Sequence, residues 1–182
     1  MKKDNKAFYF EQYFTKPHVA QDSVQIILAD LKENFNIDVF GDPKIHLIEP
    51  SCGEGVFVKE LNKKETNLRI TSLDIYPLFE EAIADNFLRA DPKILNIKSE
   101  EKLVFFGCPP SDLTKEFLLH CKEIYRSAKV YFLLRKDKIT EYIHQKNIVD
   151  MAILKDYGHE AFLFMNNEFI TQYPYLLTRV LF

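Results

Sequence analysis

The stretch IHLIEPSCGEGVFVKEL (45–61) decides the fold of this chain of 182 residues. Its first part is a short apolar run that predicts a strand, and SCGEG is a tight turn with glycines at 53 and 55. The residues from Val56 onward predict a helix behind this turn. A strand, a glycine turn and a helix in this order are typical of an open α/β sheet.

Helices and strands alternate on both sides of this stretch. HVAQDSVQIILADL (18–31) predicts a helix with Val24, Ile27, Leu28 and Leu31 on one face, started by Thr15 and Pro17. RITSLDI (69–75), KLVFFGCPP (102–110) and AKVYFLLRKD (128–137) predict strands, the last two with continuous apolar runs. Such runs are expected where helices cover both faces of a parallel sheet.

The remaining segments complete the prediction. YPLFEEAIADNF (76–87) predicts a short helix and a strand, and Ser111 or Asp112 is expected to cap the next helix. AFLFMNNEFITQYPYLLTRVLF (161–182) predicts two strands joined by a turn. The fold class is therefore α/β: a mostly parallel, twisted sheet with an antiparallel C-terminal edge strand and helices on both faces.

Composition excludes several classes of protein. The net charge of −3 argues against a protein that binds nucleic acid through bulk positive charge. Three cysteines without a CxxC pair indicate neither a disulfide framework nor a zinc site, and no metal site is expected. Free thiols, the absence of a signal-peptide pattern and the absence of a membrane-spanning run predict an intracellular protein, cytoplasmic or nuclear.

The glycine turn and a downstream carboxylate predict a nucleoside ligand. Asp74 ends the next predicted strand, 21 residues after Gly53, close to the spacing at which an acidic side chain binds ribose hydroxyls. A dinucleotide site prefers a third glycine where Val58 stands, and a carboxylate at Glu49 would repel pyrophosphate. Glu49 suits a cationic ligand instead, such as S-adenosylmethionine. Taken alone, GxG is equally consistent with a plain tight turn before a helix.

The order of five segments resembles a known family. EQYFTKPHVA (11–20), IEPSCGEGVF (48–57), SLDIYP (72–77), IADNFL (83–88) and FFGCPPS (105–111) are similar to successive motifs of the S-adenosylmethionine-dependent adenine-N6 methyltransferases of DNA and rRNA. The likeness covers most of the chain, including the closing YLLTRVLF. It implies a Rossmann-like class I methyltransferase fold and transfer of a methyl group to the exocyclic amine of adenine in RNA or DNA.

The resemblance implies a role for each matching residue. In the cofactor site, Phe14 and Thr15 would contact the methionine end, Asp74 the ribose, and the turn the middle of the molecule. The complete set implied to bind S-adenosylmethionine is Phe14, Thr15, Glu49, Pro50, Gly53, Gly55, Asp74, Ile75, Asp85 and Phe87, with Asp85 and Phe87 at the adenine ring. Phe14 and Phe87 are also plausible core residues, and Asp85 a plausible turn residue.

The catalytic motif departs from the family pattern. The family has Asn, Asp or Ser, then two prolines and an aromatic residue, whereas this chain has Cys108, Pro109, Pro110 and Ser111. In the family, the first side chain and a backbone carbonyl of the proline region accept the protons of the adenine amine, and the aromatic ring stacks on the extruded base. A thiol is a weak acceptor and serine offers no ring face. We hypothesise that the N-terminus of the following helix lowers the pKa of the Cys108 thiol.

Several alternatives follow from this departure. A decayed methyltransferase-like subunit, acting as a partner or nucleic-acid-binding scaffold, is favoured by the changes at Cys108 and Ser111, whereas the intact EPSCGEG motif and Asp74 favour an active enzyme. A cytosine-C5 mechanism requires its cysteine after a proline, but Cys108 precedes two prolines. A nucleotide-dependent oxidoreductase is disfavoured by Glu49 and Val58. The position of Cys108 is equally consistent with a small buried residue at a decayed site.

Domain organisation and partners complete the expectations. We expect residues 1–182 to form a single domain, with the segment 1–16 closing the cofactor site and no separate domain for target recognition. Such an enzyme would need a structured RNA, a partner subunit or both. The resemblance to small rRNA methyltransferases implies a small zinc-binding activator as a candidate partner.

Overall fold

The computed structural model describes residues 14–65, 67–125, 127–143, 150–158, 162–163 and 174–181. The strands in these ranges, in chain order, are β1 (Phe14–Thr15), β2 (Ile45–Glu49), β3 (Ile70–Asp74), β4 (Ile83–Ala84), β5 (Lys102–Gly107), β6 (Lys129–Arg135), β7 (Asp150–Gly158), β8 (Phe162–Leu163) and β9 (Tyr175–Leu181). The α-helices are α1 (Pro17–Phe35), α2 (Val56–Asn62), α3 (Thr114–Ile124) and α4 (Lys136–Ile143). Single 3-10 turns occupy Pro92–Leu95 and Ser111–Leu113.

Seven of the strands form one sheet in the order β4-β3-β2-β5-β6-β9-β7. The pairs from β4 to β6 are parallel, and β9 pairs antiparallel with both β6 and β7. The mostly parallel sheet with an antiparallel C-terminal edge is therefore confirmed. The chain steps outward from β2 to β3 on one side and later to β5 on the other, so the strand order reverses between β2 and β5. Ligands of open α/β sheets bind at such a reversal.

Apolar side chains of the central strands fill two cores, one on each face of the sheet. In β5, Val104 and Phe106 pack with α1 and α2, whereas Leu103 and Phe105 pack with α3. This alternation follows from the period of two residues in a strand. The prediction of helices on both faces is confirmed.

Helix α1 brings the start of the described chain to the carboxyl ends of the parallel strands. Near its first turns, the Ser23 hydroxyl lies 2.9 Å from the Tyr157 hydroxyl at the end of β7. Near its last turns, the Tyr131 hydroxyl donates to Asp30 at 2.7 Å, close to the start of β6. Strand β1, directly before α1, therefore lies toward the sheet edge where the parallel strands end.

Two segment predictions were wrong. Residues 76–82 contain no helix, because the Tyr76 N–H is bonded to the Asp74 carboxylate and the Leu78 N–H to the Gly53 carbonyl. Helix α3 begins at Thr114, and neither Ser111 nor Asp112 caps it.

The two predicted C-terminal strands exist but do not pair with each other. Strand β8 pairs with β1, and β9 pairs with β6 and β7. The predicted turn between them lies outside the described residues, and β7 was not predicted.

Candidate active site

The glycine turn, residues 51–55, lies at the point where the strand order reverses. Gly53 and Gly55 both adopt left-handed backbone conformations, with φ of 52° and 68°. The turn is held against β3 by a hydrogen bond from Cys52 N–H to Leu73 O of 2.9 Å. A Cβ atom at Gly53 would meet no heavy atom of the described residues within 4 Å, so the backbone of the turn borders space that these residues leave open. A ligand can approach this backbone closely.

Asp74 faces the glycine turn, as the sequence predicted. One carboxylate oxygen accepts the Gly53 N–H at 2.8 Å and the other accepts the Tyr76 N–H at 2.9 Å. These two bonds fix the orientation of the carboxylate against the glycine turn. The fixed orientation at the end of β3 suits a pair of vicinal hydroxyls.

Glu49 ends β2 as a buried carboxyl group with an exposed fraction of only 1%. It accepts the Val58 N–H in the first turn of α2, while its Oε2 has no hydrogen-bond partner among the described residues. Burial, together with the nearby Asp74 carboxylate, raises the pKa of Glu49 well above its ordinary value. A cationic group entering beside it would relieve this cost.

Glu49 and Gly107 bring the ends of β2 and β5 into contact. A Cβ built on Gly107 would lie 3.1 Å from Cγ of Glu49, so the glutamate side chain rests on the backbone of Gly107. The next residue is Cys108. The buried Glu49 carboxyl therefore lies beside both the glycine turn and the turn formed by residues 108–111, which we call the CPPS turn.

The Cys108 thiol points away from the helix that follows. Its Sγ donates to Leu133 O of β6 at 3.3 Å. Burial, with a contribution from Glu49, raises the pKa of this thiol far above its usual range. The hypothesis of a lowered thiol pKa was therefore wrong, because burial beside a carboxyl group outweighs any effect of the helix terminus.

The carbonyls of the CPPS turn differ in their partners. The Ser51 hydroxyl donates to Cys108 O at 3.0 Å, and Leu113 N–H donates to Pro110 O at 2.9 Å. Pro109 O is contacted within the described part of the chain only by the Cys108 thiol, at 3.9 Å. Since the thiol proton is already directed to Leu133 O, the Pro109 carbonyl keeps its acceptor capacity.

Ser111 is turned into the protein. It is buried, and its hydroxyl lies 3.0 Å from the hydroxyl of Tyr175 at the start of β9. This contact fixes the end of the CPPS turn to the sheet. Ser111 thus presents neither a ring nor a free hydroxyl on the outer side of the turn.

The other residues implied by the resemblance fall in different places. Pro50 is buried beside Glu49, and Ile75 is 45% exposed directly after Asp74. The Asp85 N–H donates to Asp74 O at 3.0 Å, which places Asp85 beside the ribose-binding candidate. Phe14 and Thr15 are buried in the small sheet formed by β1 and β8.

Phe87 belongs to the core beneath this edge of the sheet. It is only 2% exposed, and its ring centroid lies 5.6 Å from that of Phe105 and 5.3 Å from that of Phe117. We assign it to packing below Asp85 rather than to a ligand face.

Sequence reasoning missed three residues at this site. The Phe79 ring lies so close to Gly55 that a Cβ there would come within 2.5 Å of it. Ser51 connects the two turns, and Gly107 supports Glu49. Gly107 had a signal, since a glycine directly before a catalytic motif often permits a close approach. Local sequence gave no signal for Phe79 or Ser51.

The site lies on a fold shared with solved structures. No protein-family model matches the sequence, and no curated protein is significantly similar to it. The 23S rRNA methyltransferase ErmE is similar in structure, with a TM-score of 0.61 at 14% identity over 92% of this chain and 68% of that chain. The plantazolicin methyltransferase BpumL, in complex with SAH, gives a TM-score of 0.52 at 13% identity over 90% of this chain and 84% of that chain. The chain has the class I methyltransferase fold.

DrdV, solved in a complex with DNA, is also similar. Its TM-score is 0.67 at 12% identity, over 96% of this chain but only 27% of that chain. At such identities the likeness establishes the methyltransferase fold, which confirms the predicted fold class. No helix in the described ranges is long and apolar enough to cross a membrane.

Proposed function

We propose that this chain is an S-adenosylmethionine-dependent methyltransferase that acts on the exocyclic amine of adenine in RNA or DNA. The observation that carries the proposal is the buried carboxyl of Glu49, with one oxygen unpaired among the described residues, beside the glycine turn and Asp74. These groups lie at the strand-order reversal of a methyltransferase fold. A cation with a ribose fits this combination of charges better than a pyrophosphate does.

The residues at the site fit the cofactor. Glu49 offers a cationic group a carboxyl oxygen that has no hydrogen-bond partner among the described residues, and the Asp74 carboxylate is oriented at the glycine turn where two ribose hydroxyls would lie. Ile75 offers exposed apolar surface for a ring, and Asp85 lies beside it as the partner proposed for the adenine. When bound, S-adenosylmethionine supplies an electrophilic methyl group. We propose that β1, with Phe14 and Thr15, closes the methionine end.

The CPPS turn supplies the acceptor contacts. The lone pair of the adenine amine is delocalised into the ring, and hydrogen bonds from its two N–H groups to acceptors make it more available. We propose Pro109 O as the main acceptor and the sulfur of Cys108 as a weak second one. Because the thiol proton is directed to Leu133 O, the sulfur lone pairs remain for this contact.

Nucleic acid is the substrate class that two of the similar structures support. ErmE is by its name an rRNA methyltransferase, and DrdV was solved with DNA. The order of the five sequence motifs points the same way. Since the net charge is −3, we propose that target binding depends on a structured RNA or on a small partner protein.

Methyl transfer from radiolabelled S-adenosylmethionine to total RNA and to denatured genomic DNA tests the proposal. We expect label in one of the two acceptors, and about fivefold slower transfer by Cys108→Ala, since one weak hydrogen bond is worth ~1 kcal/mol. The control is Cys121→Ala, which makes the same substitution at a fully buried residue of α3. This variant should keep the transfer rate of the parent.

A second outcome would favour the decayed-subunit alternative. The inward contacts of Cys108 and Ser111 are the observations that support it. In that case the parent chain would bind the cofactor but label neither RNA nor DNA, whereas Cys108→Asn would gain activity. Equal rates of methyl transfer by the parent and by Cys108→Ala would show that Cys108 does not accept a hydrogen bond from the adenine amine.

A further inference from the structure

We propose that Ser51 is a positioning residue, which sets the distance between the glycine turn and the CPPS turn. The inference rests on the proposed function, because it assigns the cofactor to the first turn and the acceptor amine to the second. Ser51 itself contacts neither group in this assignment. It acts through the backbone carbonyl of Cys108, which its hydroxyl holds at 3.0 Å.

The contact continues the pairing of β2 with β5 beyond the end of the ladder. The last ladder partners are Ile48 and Phe105, which are separated by 57 positions. Ser51 and Cys108 are separated by the same 57 positions. After Glu49 the backbone bends into the glycine turn, and the Ser51 side chain supplies the bond that the backbone no longer makes.

The other anchors of the CPPS turn lead away from the cofactor side. Cys108 Sγ is bonded to β6 and the Ser111 hydroxyl to Tyr175 of β9. Within the ranges that the structure describes, the Ser51 bond is the hydrogen bond that joins the two turns. A shift of the glycine turn is therefore transmitted to the acceptor carbonyl through Ser51.

Methyl transfer is sensitive to this distance. The reacting atoms of a displacement must approach to ~3–3.5 Å in line, and a misplacement of ~1 Å can cost about 100-fold in rate. Removing the Ser51 hydroxyl leaves Cys108 O without its donor and frees the CPPS turn from the glycine turn. The cofactor contacts assigned to Glu49 and Asp74 stay in place.

Hydrogen exchange measured with and without SAH tests the coupling without requiring turnover. In the parent chain we expect SAH to slow amide exchange in peptides of both the glycine turn and the CPPS turn. In Ser51→Ala, exchange should slow in the glycine turn alone, with an SAH Kd within twofold of the parent. Ser51→Thr keeps the hydroxyl and should restore the parent pattern. Ser99→Ala removes an exposed serine hydroxyl and serves as the matched control.

Single-turnover transfer from radiolabelled S-adenosylmethionine provides the second readout. The rate should fall 10- to 100-fold in Ser51→Ala and recover in Ser51→Thr. The inference is overturned if SAH still protects the CPPS turn in Ser51→Ala, or if the SAH Kd rises in parallel with the loss of rate. If SAH slows exchange nowhere in the parent, the proposed function fails, and this inference with it.

Discussion

Glu49 is the residue whose environment is hardest to explain by stability alone. Its carboxyl is 1% exposed, lies near Asp74 and has one oxygen without a hydrogen-bond partner in the part of the chain that the structure describes. A buried, incompletely bonded carboxyl group costs free energy in the folded state. We infer that a cationic ligand compensates this cost, as is common for shifted groups at functional sites.

Glu49→Gln is expected to stabilise the free chain and to weaken cofactor binding. Since the pKa of Glu49 is raised on folding, the folded chain binds more protons, and the free energy of unfolding falls as pH rises from the ordinary value through the raised one. A glutamine at this position cannot ionise, so the free energy of unfolding of Glu49→Gln does not fall with pH in this way. We expect a Tm increase of ~2–4 °C, equivalent to ~1 kcal/mol, with a larger difference from the parent at pH 8 than at pH 5.

Calorimetry and thermal unfolding on the same samples measure both effects. Glu60→Gln changes a glutamate of α2 that is paired with Lys63, and serves as the control with an unchanged cofactor Kd. A lower Tm for Glu49→Gln at pH 8, or an unchanged Kd for S-adenosylmethionine, would contradict this role for Glu49.

At the scale of elements, the two glycines of the glycine turn have different surroundings: one faces space for a ligand, and the other packs against the protein. Gly53 borders open space, whereas Gly55 lies under the Phe79 ring. The segment after β3 is tied down by Leu78 N–H, which donates to Gly53 O at 3.0 Å. The turn and this segment therefore form one unit around Asp74.

Three alanine variants separate these roles. Gly53, Gly55 and Gly158 all have positive φ, so each substitution carries a similar backbone strain of ~1–2 kcal/mol. Gly158→Ala adds no contact within 4 Å to the residues that the structure describes and is the control for strain alone. We expect Gly53→Ala to match its Tm but to lose cofactor affinity. Gly55→Ala should have the lowest Tm, because Phe79 must move. Equal Tm values for Gly55→Ala and Gly158→Ala would contradict the close packing of Phe79.

Sequence patterns predicted the elements that bury apolar side chains on both faces. Strands β5 and β6 are continuous apolar runs, so their identity needed no tertiary information. Residues 76–82 were assigned a helix because their local pattern allows one, but hydrogen bonds to Asp74 and Gly53 hold this segment in another conformation. Strand β7 is interrupted by polar residues and gave no clear pattern.

Across the whole molecule, the two ends of the sheet have different tasks. The carboxyl ends of the strands carry the two turns and Asp74. At the opposite end, the buried His46 imidazole bonds to Glu101 at 3.0 Å and to Thr71 at 2.7 Å, and burial lowers its pKa. This network stabilises the strands at the end of the sheet away from the site. It therefore offsets part of the free energy that burial of the Glu49 carboxyl costs the folded chain.

Long-range pairing was the part of the fold that sequence could not provide. Strand β1 pairs with β8 from near the other end of the chain, and within the described ranges each contributes two residues. No local pattern specifies such a pair. The order of motifs, in contrast, predicted that Glu49, Gly53 and Asp74 lie near one another, and the structure places them together because the ends of adjacent parallel strands converge at one edge.

Isothermal titration calorimetry of the chain with S-adenosylmethionine tests the central claim most directly. We expect a single site, with binding at least tenfold weaker in Asp74→Ala, because a carboxylate that accepts two hydroxyls is worth more than ~1.4 kcal/mol. Asp156→Ala removes a carboxylate that accepts a backbone N–H in the same way but lies at the end of β7, and should bind like the parent. No heat of binding at millimolar cofactor, or equal affinity in Asp74→Ala, would contradict the assignment.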